Sequence, residues 1–138
     1  MFLLDTNAAS DVFKGRSRAA RLALEDAQKS TRVVISVLTE AEILFGLRKL
    51  HDTTPYREFF DAFCARVEVL SWHNDSARSY SELRHALKER NRTVDTMDLL
   101  IASQAHALGA VIVTRDNAFR HLEGLVEVVN WATDLKKA

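Results

Sequence analysis

Five short apolar runs punctuate the chain, at Phe2 to Leu4, Val33 to Ser36, Val67 to Leu70, Val111 to Thr114 and Val126 to Val129. Their length and their β-branched or otherwise apolar content predict strands. Between them lie longer stretches with helical periodicity, among them RAARLALEDAQK, TEAEILFGLRKL, YREFFDAFCARV and SARSYSELRHALKER. Strands alternating with helices imply crossover connections, a mostly parallel sheet and helices on both faces, so an α/β fold is expected. In such a sheet, polar groups at the carboxyl ends of the strands gather in one crevice. There is no repeat and no low-complexity segment, and Pro55 is the single proline, so residues 1–138 are expected to form one domain without a linker.

Composition narrows the class without naming it. Nineteen basic residues balance nineteen acidic ones, so net charge makes no case for nucleic acid and any such case rests on where the charges lie. Residues 78–92 carry five basic and two acidic side chains, and residues 14–32 carry six and two. Either stretch reads equally as a solvated helix face or as a surface for an anion. Cys64 is the only cysteine, which excludes an internal disulfide and a cysteine-based zinc site and fits a reducing compartment. No apolar run approaches the roughly 20 residues of a membrane span, and MFLL meets Asp5 too early to be the core of a signal peptide. A cytoplasmic protein without a membrane partner is expected.

The candidate chemistry is carboxylate chemistry. Asp5 ends the first strand with no glycine or proline to make a turn, and Asp5, Thr6 and Asn7 all suit a helix start. Asp116 follows the strand AVIVT, where it reads either as an Asp-Asn turn or as a second acid in the same crevice. TVDTMDLLIASQAHALGA reads as a helix with a core stripe of Met97, Ile101, Ala105 and Leu108, which places Asp98 in the first turn beside that stripe. Asp95 is the expected N-cap. In VVISVLTEAEILFGLRKL, Glu40 and Glu42 both flank an apolar stripe of Val37, Ala41, Leu44 and Phe45, and periodicity does not choose between them. Gly46, four residues after Glu42, favours Glu42 by leaving room beside its carboxylate, although it reads equally as relief for helix packing.

Three or four carboxylates sharing one crevice raise one another's pKa values and call for a cation. Oxygen ligands alone select hard ions such as Mg²⁺ or Mn²⁺, which keep several waters and bind through a few carboxylates and a substrate phosphate. Phosphodiester hydrolysis is the chemistry such a site performs.

With those residues in place, LDTN at 4–7, TEAEILFG at 39–46, MDLLIASQAHALGA at 97–110, VTRDNAF at 113–119 and GLVEVVNW at 124–131 together resemble a PIN domain of the VapC type. The resemblance covers nearly the whole chain. It implies a PIN-like three-layer α/β/α domain and a Mg²⁺- or Mn²⁺-dependent endoribonuclease that serves as the toxin of a bacterial toxin–antitoxin pair. It further implies tRNA as substrate, a homodimer, and a VapB-type antitoxin whose tail enters the acidic site. Carried over residue by residue, it assigns catalysis and metal binding to Asp5, Glu42, Asp98 and Asp116. Thr6, Asn7 and Thr114 then have supporting places, and Arg84 and Arg115 are candidates for RNA or antitoxin contact.

This chain departs from the subgroup in two places. Thr93, Val94, Asp95 and Thr96 stand where relatives often read Pro-Ile-Gly-Pro, which adds an acid near the site. Arg115 and Asp116 stand where relatives often have two asparagines, and the motif is one residue shorter before Phe119. An aspartate-based phosphohydrolase would want a second acid two residues after Asp5, and position 7 is Asn. A nucleotide-binding loop is not supported by four scattered glycines. A catalytically silent PIN-fold RNA-binding protein is the remaining alternative, and four intact acidic positions weigh against it.

Overall fold

In the computed structural model, which describes residues 1–50 and 54–134, five parallel strands form one sheet. They are β1 (Phe2–Leu4), β2 (Val33–Ser36), β3 (Glu68–Leu70), β4 (Val111–Val113) and β5 (Val128–Val129). Their order across the sheet is β3-β2-β1-β4-β5. Strand order therefore reverses between β1 and β4, and the crevice beyond their carboxyl ends is where an open α/β sheet binds ligands. The all-parallel α/β arrangement agrees with the expected class.

Seven α-helices cover the sheet among the described residues: α1 (Thr6–Phe13), α2 (Arg18–Ala27), α3 (Val37–Arg48), α4 (Thr54–Cys64), α5 (Asn74–Glu89), α6 (Thr96–Leu108) and α7 (Trp131–Asp134). A 3₁₀ helix spans Asn117–Leu122. Because strand side chains alternate between faces, the three middle strands feed two cores. Leu4, Ile35 and Val113, which are register partners, pack with α1, α2 and α4. Leu3, Val34 and Ile112, one residue earlier on each strand, pack with α5, α6 and Phe119. Among the described residues no helix is long and apolar enough to cross a membrane.

Three expectations need correction. Val67, Thr114 and Val126 lie outside the strands assigned to them. The Val67 amide donates to Phe63 O at 3.0 Å and the Val126 amide to Leu122 O at 3.2 Å, so both close the preceding helix instead of joining a ladder. The buried stripe of α3 is Thr39, Ile43 and Leu47, four residues apart, while Val37 and Ala41 are exposed, Leu44 is half-buried and Phe45 is 60% exposed. The stripe of α6 is broader than expected, burying Leu99 and Ile101 to Ala105, and it leaves Leu108 exposed. Packing of α6 between the sheet and α5 explains that breadth. Gly109 ends α6 at φ 65°, a left-handed position that glycine fills without steric cost.

Candidate active site

Asp5 is carried by the end of β1 and is almost wholly buried, at 2% exposure. Its amide donates to Val113 O at 3.0 Å, which ties β1 to β4 at the mouth of the crevice. The side chain is the N-cap of α1. Oδ1 accepts from the Ala8 amide at 2.8 Å, and Oδ2 accepts from the Thr114 hydroxyl. Burial pushes the Asp5 carboxyl up, against the lowering effect of the hydrogen bonds from Thr114 and Ala8, and Asp116 pushes it further. Capping and site-building are thus done by one carboxylate.

The Thr114 side chain, just past β4, makes two bonds. Its hydroxyl donates to Asp5 and accepts the Asp116 amide at 3.0 Å. Asp116 caps the 3₁₀ helix, with Oδ1 accepting from the Ala118 amide at 2.9 Å. The β1 and β4 loops are locked to each other through this short chain of bonds.

From the other side, α3 brings Glu42 to α1: the Thr6 hydroxyl donates to Glu42 Oε1 at 2.5 Å. Thr39 Oγ1 lies 3.4 Å from Thr6 Oγ1. Thr6 therefore orients Glu42, and Asp5 is oriented instead by Ala8 and Thr114. Asn7 is exposed at the second position of α1. Beside Gly46 the space is open, and a Cβ there would meet nothing within 4 Å.

Asp98 sits in the first turn of α6, half-buried, with its carboxyl pushed up to about 6. Burial is the main cause, followed by repulsion from Asp116, Asp5, Asp95 and Glu42. Asp5, Glu42 and Asp116, the other acids selected from the sequence, thus lie near enough to act on its charge, as does Asp95. Asp95 holds the expected N-cap position, but its side chain makes no capping bond and remains exposed beside the site.

Acids that raise one another's proton affinity, with Arg115 offsetting the effect at Asp5, fit a divalent cation. Among the described residues no three Asp, Glu, His or Cys side chains are grouped tightly enough to hold an ion alone.

Two features escaped the sequence reading. Asp11, buried on α1, accepts from Arg115 Nε at 2.8 Å and lies 3.9 Å from Arg16 Nη1. This pair straps the loop that carries Asp116 to α1. Nothing in the local pattern of either residue announces a partner 104 positions away. Thr39 was assigned to neither stripe nor site, although a hydroxyl four residues before Ile43 on the buried face was the available signal. Arg84 is exposed on α5, where Nη1 donates to the Tyr80 hydroxyl at 3.0 Å.

A buried acid at a strand end, opposed by acids from two helices and the β4 loop in a parallel five-stranded sheet, is the arrangement of the PIN domain. The chain belongs to the PIN-domain family, whose model matches residues 2–125. Within the family it is of the VapC type. It is 32% identical to VapC ribonuclease Y4jK of Sinorhizobium fredii, over 95% of this chain and 98% of that protein. It is 25% identical to the tRNA(fMet)-specific endonuclease VapC of Shigella flexneri, again over 95% and 98%. Among solved structures, the crystal structure of VapBC2 from Rickettsia felis bound to a DNA fragment from their promoter superposes with a TM-score of 0.88 at 27% identity, covering 94% of this chain and 98% of that one. PIN domains are nucleases, so the chain is an enzyme of the class that hydrolyses phosphodiester bonds.

Proposed function

We propose that this chain is a Mg²⁺- or Mn²⁺-dependent endoribonuclease, the cytoplasmic toxin of a toxin–antitoxin pair, with tRNA as substrate and inhibition of growth as outcome. The observation that carries the reading is the convergence of Asp5, Asp95, Asp116 and Glu42 on Asp98, whose proton affinity they raise. Asp5, Glu42, Asp98 and Asp116 are the proposed metal and catalytic set. A bound divalent ion would neutralise the phosphate and lower the pKa of a water to make hydroxide available.

The protein's own part is positional. Thr114 and the Ala8 amide fix both oxygens of Asp5, and Thr6 fixes Glu42, so neither carboxylate must reorganise when substrate arrives. Asp98, half-exposed, faces both the cluster and solvent, which suits a group that meets the scissile phosphate. Burial of Asp5 keeps bulk water from one side of the site. The tRNA assignment leans on the Shigella relative, and the antitoxin assignment on the VapBC neighbours. A VapB-type antitoxin is the proposed partner, with a homodimer as the proposed state of the toxin.

Induced expression in a bacterial host tests this reading. Growth arrest with new 5′ ends in one or a few tRNAs is expected, abolished in Asp98→Asn and prevented by co-expression of the antitoxin. Arrest with all cellular RNA intact would refute it.

A further inference from the structure

An opening of a different character lies beside the start of α6, the helix that carries Asp98. An open trough of about 550 Å³ runs between the second half of α5 and the start of α6. Tyr80, Arg84, Lys88 and Arg92 line it together with Thr93 and Thr96. Three cations and no acid line it, in a chain whose charges balance overall. Arg84, Lys88 and Arg92 are exposed and form no ion pair with any described acid, whereas Arg32, Arg57 and Arg115 each do. Thr93 to Thr96 lead directly to Asp95 and, one turn of α6 later, Asp98.

Arg84 and Lys88 are four residues apart on α5, a rise of about 6 Å. That is the order of the distance between successive phosphates of a single strand. Tyr80 is half-buried, with its ring 5.8 Å from the Arg84 guanidinium carbon. An aromatic ring beside an arginine plane is a platform on which an unpaired base stacks, and exposed cations along one groove track a backbone.

We infer that this trough is the track along which a single-stranded RNA segment reaches the acids, with successive phosphates on Arg84, Lys88 and Arg92 and a base against Tyr80. The inference rests on the ribonuclease reading and adds the surface through which that substrate is held. It also accounts for the contact assigned to Arg84 from the sequence.

The test compares Arg84→Gln/Lys88→Gln/Arg92→Gln with a control triple of equal charge change on the other side of the molecule, Arg18→Gln/Arg21→Gln/Arg66→Gln. Binding of a fluorescein-labelled tRNA is followed by anisotropy in EDTA from 50 to 300 mM KCl, and cleavage of the same RNA is followed in Mn²⁺. Loss of three phosphate contacts should flatten the plot of log K against log salt by about 2 and weaken binding by about tenfold or more, with the control triple near wild type. Each single trough variant should flatten it by about 0.7. In cleavage, KM should rise with kcat nearly unchanged. Wild-type cleavage with an unchanged slope in the trough triple would overturn the trough and leave the ribonuclease reading standing. Equal losses in both triples would overturn it too, as general charge attraction. Unchanged RNA affinity with a weakened co-purified antitoxin complex would make the trough a peptide dock and also overturn it. A wild-type protein that neither binds nor cleaves RNA would overturn both readings.

Discussion

Replacing Asp98 by Asn removes a charge that the folded protein holds at a cost. The carboxyl is pushed up to about 6 from an ordinary 3.8 by burial and by four neighbouring acids. Between those two pH values the unfolded chain has given up a proton that the fold retains, so stability falls as pH rises through the window and the whole loss is present above about 6. At ~1.4 kcal/mol per pH unit the gap corresponds to about 3 kcal/mol, and solvent screening at this half-exposed group reduces it to about 1–2 kcal/mol. In EDTA at pH 8, Asp98→Asn should therefore raise Tm by about 3–8 °C. At pH 4 the gain should nearly vanish, because wild-type Asp98 is then protonated in the fold. Urea melts at both pH values give the same quantity as free energy. Millimolar Mn²⁺ at pH 8 should reverse the ranking by binding the native wild type more tightly than the variant. An Asn variant that is no more stable than wild type at pH 8 in EDTA would refute the account of a self-repelling cluster.

The other expectations concern the residues around the acids. Thr114→Val keeps shape but removes the donor to Asp5 and the acceptor for the Asp116 amide, and should cost about 1–3 kcal/mol by urea denaturation. It should also move the acid limb of the cleavage pH profile upward, since Thr114 holds the Asp5 carboxyl down. Arg115→Ala and Asp11→Ala should show a coupling of about 1 kcal/mol in a double-mutant cycle, and Arg115→Ala should lower cleavage by loosening the Asp116 loop. Additive effects would mean that the pair does not strap that loop. Gly46→Ala should raise stability by about 0.5–1 kcal/mol with cleavage unchanged, because the new methyl meets open space at an ordinary helical position. Lost cleavage in that variant would support the idea that Gly46 makes room at the site.

The acids were legible because strand ends and helix starts are local features. Asp5 and Asp116 could be placed from the runs that precede them, and Asp98 from the first turn of a periodic stretch. Glu42 was preferred over Glu40 for the room beside Gly46, whereas what holds its carboxylate in the structure is Thr6, 36 positions away, a partner that no local pattern announces. The α3 stripe was misread because Val37, Ala41, Leu44 and Phe45 look apolar while the sheet takes Thr39, Ile43 and Leu47. Hydrophobicity alone does not say which apolar face of a helix meets its own sheet. The Asp11–Arg115 pair is invisible for a similar reason, since charge partners across a crossover leave no spacing to read.

The most direct test of the central claim is incubation of the purified, antitoxin-free protein with total bacterial tRNA in Mn²⁺ or Mg²⁺, beside an EDTA control and Asp5→Asn. Asn at position 5 can still accept the Ala8 amide, so the fold should survive while the charge is lost. Discrete fragments that require both the ion and Asp5 are the expected result. Cleavage that persists in EDTA or in Asp5→Asn would contradict the account, as would survival of both tRNA and a mixed cellular RNA pool with the metal present.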